Sequence, residues 1–236
     1  MPAALVATFD GGAINASSVA SWAISGLSLS VGDVVTVGVM YGGLGTATNR
    51  TITAADDLGN TYAEITLPAA QWDSANSTGV RVFRTVVTNA GTATITFTPS
   101  ANCDNTASIA YVWSGGSANE DGANCTTTVT STPDSGSITT TAAGDIVAGF
   151  LANSSVASGT LNTNNGSFTN TRNVSGGGFC AQSQIQSAAG SINSQPTMSV
   201  SNKWISAIVS IKAGAGTVVY QGRDVRSQTV MAMGLR

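Results

Sequence analysis

The stretch Ser28–Met40 reads SLSVGDVVTVGVM, and Thr139–Leu151 reads TTTAAGDIVAGFL. The shared core is Gly-Asp followed by a run of β-branched and apolar residues. Gly permits a turn backbone, Asp hydrogen-bonds nearby amides, and the Val/Ile run fills a buried strand. The phrase therefore reads as a turn and a strand entry that the fold needs twice. The other reading, a paired site of Asp33 and Asp145, has no catalytic signature around it.

The repetition extends outward from there. LGNTY (Leu58–Tyr62) answers to NNGSF (Asn164–Phe168), and RVFRTVVTNAG (Arg81–Gly91) to CAQSQIQSAAG (Cys180–Gly190). TITF (Thr94–Phe97) answers to TMSV (Thr197–Val200), and ASIAYVWSG (Ala107–Gly115) to SAIVSIKAG (Ser206–Gly214). These elements recur in one order at a spacing of about 100 residues, which marks a duplicated structural unit and not a solenoid repeat. Between them, apolar residues alternate at period two. Val35, Val37 and Val39 share one strand face. Val80, Val82 and Arg84 oppose Arg81, Phe83 and Thr85, and Ile95 and Phe97 alternate with threonines. No segment sustains a helical period.

Composition agrees. Of 236 residues only 9% are charged and 42% are hydrophobic, and the polar remainder is Ser, Thr, Asn and Gly. Glu64, Glu120, Lys203 and Lys212 are the only Glu and Lys, so strong helix formers are scarce. Val and Thr favour strands, while Gly, Asn and Ser favour turns. No apolar run approaches the ~20 residues of a membrane-spanning helix. The opening MPAALVATFDGG lacks a basic n-region and a long h-region, so no signal peptide is expected.

The expected fold is an all-β, jelly-roll-like antiparallel β-sandwich built from two pseudo-repeated halves. The sandwich covers residues 1–213, its halves run about 20–115 and 116–213, and an extended C-terminal arm covers 214–236. Two small sandwiches in tandem also fit the pattern. A single sandwich with interleaved halves is preferred, because a five- or six-strand half would expose a long edge and a thin core. The polar segment 114–136 is a candidate linker.

The order GDVV, DDLGNTY, RVF, YVWSGG, TTTAAGDIVAGF and a closing WISAIVSIKA resembles a jelly-roll-like β-sandwich unit of bacteriophage virion proteins and bacterial surface proteins. The resemblance covers roughly residues 20–213. It implies a non-enzymatic role in head or tail decoration, in adhesion or in glycan binding, and it carries no catalytic residues. The expected partners are other virion proteins and copies of the same chain, with host glycan as an alternative. The expected location is the virion, assembled in the host cytoplasm.

The residues themselves point the same way. With no His in the chain, Ser-His-Asp and Cys-His arrangements and His-ligated metals are excluded. A glycosidase needs two carboxylates facing a cleft, and no spacing singles out a pair. GGLG and SGGGF lack the Lys and strand–loop–helix context of a phosphate loop. No basic patch with interleaved aromatics suggests nucleic acid. No enzymatic activity, cofactor or metal is expected. AADDLGN (Ala54–Asn60) and ANEDGAN (Ala118–Asn124) read as Asx-type turns or as oxygen-ligand sites for calcium. Cys103, Cys125 and Cys180 read as buried free thiols, with a Cys103–Cys125 bridge as the alternative. Among the tryptophans, Trp113 and Trp204 sit in apolar strands, and Trp72, in PAAQWDSANS, is the candidate glycan contact.

The tail GAGTVVYQGRDVRSQTVMAMGLR follows a finished repeat and starts with a Gly-Ala-Gly hinge. Its Arg223, Arg226 and Arg236 stand against the single Asp224, in a chain whose net charge is −3. Val218, Val219, Tyr220, Arg223, Arg226, Val230 and Met231 are the candidate partner-binding residues of an arm that adds a strand to a neighbour.

Overall fold

The computed structural model describes residues 2–14, 18–42, 49–68, 71–153, 161–163, 168–174 and 178–214. No α-helix occurs among them. The strands of the first half are β1 (Ala4–Ile14), β2 (Trp22–Leu29), β3 (Val34–Gly42), β4 (Ile52–Asp56), β5 (Ala63–Glu64), β6 (Trp72–Asp73), β7 (Thr78–Val86), β8 (Gly91–Pro99) and β9 (Asp104–Ser114). Those of the second are β10 (Gly116–Thr130), β11 (Ser137–Thr140), β12 (Ile146–Asn153), β13 (Leu161–Thr163), β14 (Asn170–Asn173), β15 (Phe179–Ile185), β16 (Gly190–Asn193), β17 (Thr197–Met198) and β18 (Asn202–Ala213).

The pairing separates the halves. One large sheet runs β1-β9-β3-β7-β5, with β6 also on β7, and the other runs β10-β18-β12-β15-β14. A small sheet β2-β8-β4 accompanies the first, and the pairs β11-β16 and β13-β17 accompany the second. Position by position the two orders correspond: β3 and β12, the strands of the Gly-Asp phrase, each sit at the centre of a large sheet. Among the described residues no strand before Ser114 pairs with one after it, so the halves do not interleave.

Four layers result, in the order small sheet, large sheet, large sheet, small sheet. The largest core lies between the two large sheets. It joins Val34, Val80, Val82, Ile109, Tyr111 and Trp113 to Ile146, Phe150, Phe179, Ile205, Val209 and Ile211. A second core packs Val35, Val37, Val39, Phe83 and Val112 against Trp22, Ile24, Leu27, Ile95 and Phe97 of the first small sheet. The second half's outer core is divided. Leu151, Leu161, Cys180, Met198 and Trp204 form one part, and Ile138, Val147, Phe168 and Ile208 the other. Polar groups lie on the same face: Gln182 Nε2 donates to Ser194 Oγ at 2.9 Å, and Ser194 N to Ser135 Oγ at 2.8 Å.

This layering explains the opening phrase. Val34 faces the central core while Val35 and Val37 face the outer one, and the whole of Ile146–Asn153 is buried. A strand covered on both faces reads as a continuous apolar run and not as a strict alternation. The Gly-Asp pair makes the entry turn in both halves. Gly32 and Gly144 have φ of 90° and 91°, in the left-handed region that favours glycine. Asp33 Oδ2 accepts from Ser30 N at 2.9 Å, and Asp145 Oδ2 from Ala142 N at 3.0 Å.

Besides the interleaving of the halves, three expectations change. The candidate linker 114–136 is mostly strand, since β10 fills Gly116–Thr130 and pairs along β18. ANEDGAN is therefore strand, not loop. Its polar residues are tolerated because β10 is an edge strand with partly solvated faces. The letter match of ASIAYVWSG with SAIVSIKAG is one residue out of register. Val35 stands opposite Val112, while its counterpart Val147 stands opposite Ser210. Trp113 thus corresponds to Ile211, not Lys212, and a slip of one would turn every side chain to the wrong face.

Candidate functional site

Charged and aromatic side chains gather at two places. In the first, Tyr41 stands next to the last residue of β3, and its buried hydroxyl donates to Asn49 Oδ1 and lies 3.1 Å from the Arg50 carbonyl. Arg81, a charged residue buried in the middle of β7, donates from Nε to the Tyr41 oxygen at 3.3 Å and from Nη2 to the Arg50 carbonyl at 2.8 Å. Its Nη1 pairs with Glu64 Oε1 at 2.7 Å. Burial raises the Tyr41 pKa, and the neighbouring Arg81 offsets part of that rise. A guanidinium can be buried this deeply only with its donors satisfied, and these acceptors satisfy them.

Trp72 lies beside this network. It is half-buried in β6, and its ring stacks on Tyr41 with centroids 5.8 Å apart and planes 17° apart. One ring face is thus taken by the protein. The adjacent Asp73 forms an ion pair with Lys203 of β18 at 2.8 Å.

The second place is the Gly-Asp turn of the second half. Asp145 is fully buried and accepts from Ala142 N and from Ala213 N at 2.9 Å. Thr141 N donates to Asp121 Oδ2 at 2.5 Å and approaches Asp145 Oδ2 at 3.2 Å. Thr141 Oγ1 donates to Asp121 Oδ1 at 2.8 Å, and Lys212 Nζ approaches the same oxygen at 3.4 Å. Burial pushes the Asp121 carboxyl up, but hydrogen bonding with Asp145 and Thr141 and the Lys212 ammonium outweigh it and leave its pKa lowered. The two carboxylates missed as a pair in the sequence therefore do meet. They meet under solvent-excluding cover with their oxygens engaged, and they pin the end of β18 to the turn before β12.

The remaining candidates are placed as follows. Asp56 accepts from Leu58 N, Asn60 N, Asn60 Nδ2 and the Tyr62 hydroxyl, and Asp57 accepts from Thr94 N, so AADDLGN is an Asx-type turn tied to β8. Among the described residues no three His, Cys, Asp or Glu gather as a metal would require. The cysteines are free, and they lie in three different cores, so a Cys103–Cys125 bridge is not formed. Burial pushes the Cys103 thiol up to about 11 and those of Cys125 and Cys180 up to about 12. Val218, Val219, Tyr220, Arg223, Arg226, Val230 and Met231 lie outside the described residues.

Sequence reasoning missed the Arg81 network and the Asp121–Asp145–Lys212 cluster. The first had a signal: an Arg in the middle of an apolar strand needs buried acceptors. The second had none, because it depends on β10 lying beside the end of β18. No protein-family model matches the chain, and neither a curated protein nor a solved structure matches it.

Proposed function

We propose that this chain is a non-enzymatic structural protein of a bacteriophage virion, decorating or joining the capsid or tail through its sandwich faces and its C-terminal segment. On this reading the corresponding sheet orders reflect duplication of a jelly-roll-like unit. The observation that carries it is how the charged and polar side chains are used. Arg84 of β7 pairs with Glu120 of β10 at 3.0 Å, Asp73 of β6 with Lys203 of β18, and Arg172 of β14 donates to the Thr8 carbonyl of β1 at 3.3 Å. All three ties cross between the two large sheets. Side chains that elsewhere do chemistry here hold layers together, and a block so braced suits a role in packing. The residues Val218, Val219, Tyr220, Arg223, Arg226, Val230 and Met231 would engage a neighbouring virion protein or another copy, where charge pairs steer and align. The test is co-purification. The full chain should band with phage particles, and a chain lacking residues 216–236 should stay folded and lose the particle. A full chain that never associates with particles would refute the reading.

A carbohydrate-binding or adhesin module is the second reading, and Trp72 favours it: a half-buried indole stacked on Tyr41 is the ring type on which sugars stack, held in a fixed orientation. Binding on a glycan array that is lost in Trp72→Ala would select this reading over the first.

A further inference from the structure

We propose that each half of the protein binds an internal water molecule at an equivalent place in its outer core. In the first half the water joins the Trp22 indole to the hydroxyls of Thr106 and Ser108. In the second it joins the Trp204 indole to the hydroxyls of Thr128 and Ser206. All of these polar groups are shielded from solvent, and among the described residues none of them has a hydrogen-bond partner. Thr106, Ser108, Trp204 and Ser206 are 0% exposed and Trp22 is 4% exposed. A buried donor or acceptor left unpaired loses its hydration with nothing in return, so such groups in native proteins nearly always meet another protein group or an ordered water. A buried water typically makes about three hydrogen bonds. Each half supplies one indole donor and two hydroxyls that can donate or accept, which is the complement of one water.

The register places the two sets alike. Thr106 and Ser108 lie two residues apart on β9, on the face opposite to Ala107 and Ile109 of the central core. Trp204 and Ser206 lie two apart on β18, on the face opposite to Ile205 and Ala207. Ser108 pairs with Val39 and Ser206 with Leu151, the sixth residues of β3 and of β12, so the two serines hold the same position of the repeated pattern. Residues two apart on a strand are separated by about 6.6 Å, and two hydrogen bonds of about 2.8 Å through one water reach across most of that gap. The third group comes from another strand. In the second half Thr128 of β10 stands directly opposite Trp204. In the first, a Cβ on Gly11 would meet Ser108 Oγ, Ile24 Cγ1 and the Ala23 carbonyl, so this hydroxyl lies where β1 meets the start of β2, the strand that opens at Trp22. Thr126, on the same face of β10 as Thr128, shows the other way of meeting the demand: its hydroxyl donates to the Asp134 carbonyl. No group in either set is charged, so water fits and an ion does not.

High-resolution crystallography of the full chain tests this, and urea denaturation of variants gives an independent reading. The crystal structure should show, in each half, a water within about 3.2 Å of at least two of the three groups. Ser108→Ala and Ser206→Ala should each lower the urea midpoint by about 0.5 M, because the water loses one of its partners. The sign of the shift discriminates. A hydroxyl that is simply unpaired would be better removed, and the midpoint would then stay in place or rise. Ser74→Ala, at an exposed position, is the control and should leave the midpoint unchanged. A crystal structure with no water at these groups, or with water in one half alone, overturns the proposal. So does a midpoint that is unchanged or raised in either alanine variant. Should a variant fail to fold, the crystal structure of the unmodified chain decides alone.

Discussion

Gly38 of one large sheet lies directly against the Phe150 ring of the other, and adding a single methyl there should be costly. A Cβ placed on Gly38 would sit 2.1 Å from Cδ1, 2.5 Å from Cγ and 2.6 Å from Cε1 of Phe150. Carbon atoms in contact prefer about 3.5–4.0 Å, so the ring must move by more than an ångström. It has nowhere to go: Phe150 is fully buried, with Tyr111 at 6.2 Å on one side and Phe179 stacked at 6.4 Å on the other. Overpacking a filled core costs about 1–3 kcal/mol, and the rigidity of this ring cluster puts Gly38→Ala at the upper end. The stiffer unfolded chain returns about 0.4–1 kcal/mol, leaving a net loss of about 2 kcal/mol. Urea denaturation followed by Trp fluorescence measures it as a lowered midpoint at unchanged slope. Phe150→Ala alone should cost about 3–5 kcal/mol. In the double variant the new methyl enters the space the ring has left, so the combined loss should fall short of the sum by at least about 1 kcal/mol. Strict additivity, or a Gly38→Ala chain as stable as the parent, would refute this account of how the two sheets meet.

Other outcomes follow from the same contacts. Arg81→Lys should lower stability by about 1–3 kcal/mol in urea titrations, because an ammonium cannot serve Tyr41, Glu64, Asn49 and the Arg50 carbonyl together. The lowered pKa of Asp121 contributes stability that is fully present above its unfolded value of about 3.9 and is lost as pH falls through the lower folded value. Acid titrations of Asp121→Asn should therefore show a shallower loss of stability below about pH 4 than the parent shows. All three thiols should resist a disulfide reagent at pH 8 in the native protein and react at once in denaturant, since burial keeps Cys103 near about 11 and Cys125 and Cys180 near about 12. Rapid modification of any one of them in the folded chain would contradict its placement in a core.

How much of this was legible follows from which interactions are local. The strand content, the Gly-Asp turns and the Asx turn at Asp56 are decided by neighbours within a few residues, and the sequence pattern carries them. β1 was not foreseen, because ALVATFDGGAI mixes its apolar residues with a bulge at Val6 and a pair of glycines. β10 was read as a linker for a related reason: an edge strand with partly solvated faces has little apolar period to detect. The sequence match of β9 to β18 slipped by one because the letters SIA and SAI are near-matches, whereas register is set by the strand opposite each.

The layer count was written in the opening phrase. Val34-Val35 and Ile146-Val147 are adjacent apolar residues, and adjacent residues of a strand point to opposite faces. A two-layer sandwich wets one face of each sheet and gives alternation, so a doubly apolar strand at the centre of both halves requires a sheet on either side of it. The same reasoning locates the candidate sites. Charged groups survive in such an interior only where another strand supplies a partner, as Glu64 does for Arg81 and Lys203 for Asp73. Those partners come from strands distant in sequence, so neither site could be read from one segment, and both depend on the packing of sheets that the short-range pattern leaves open.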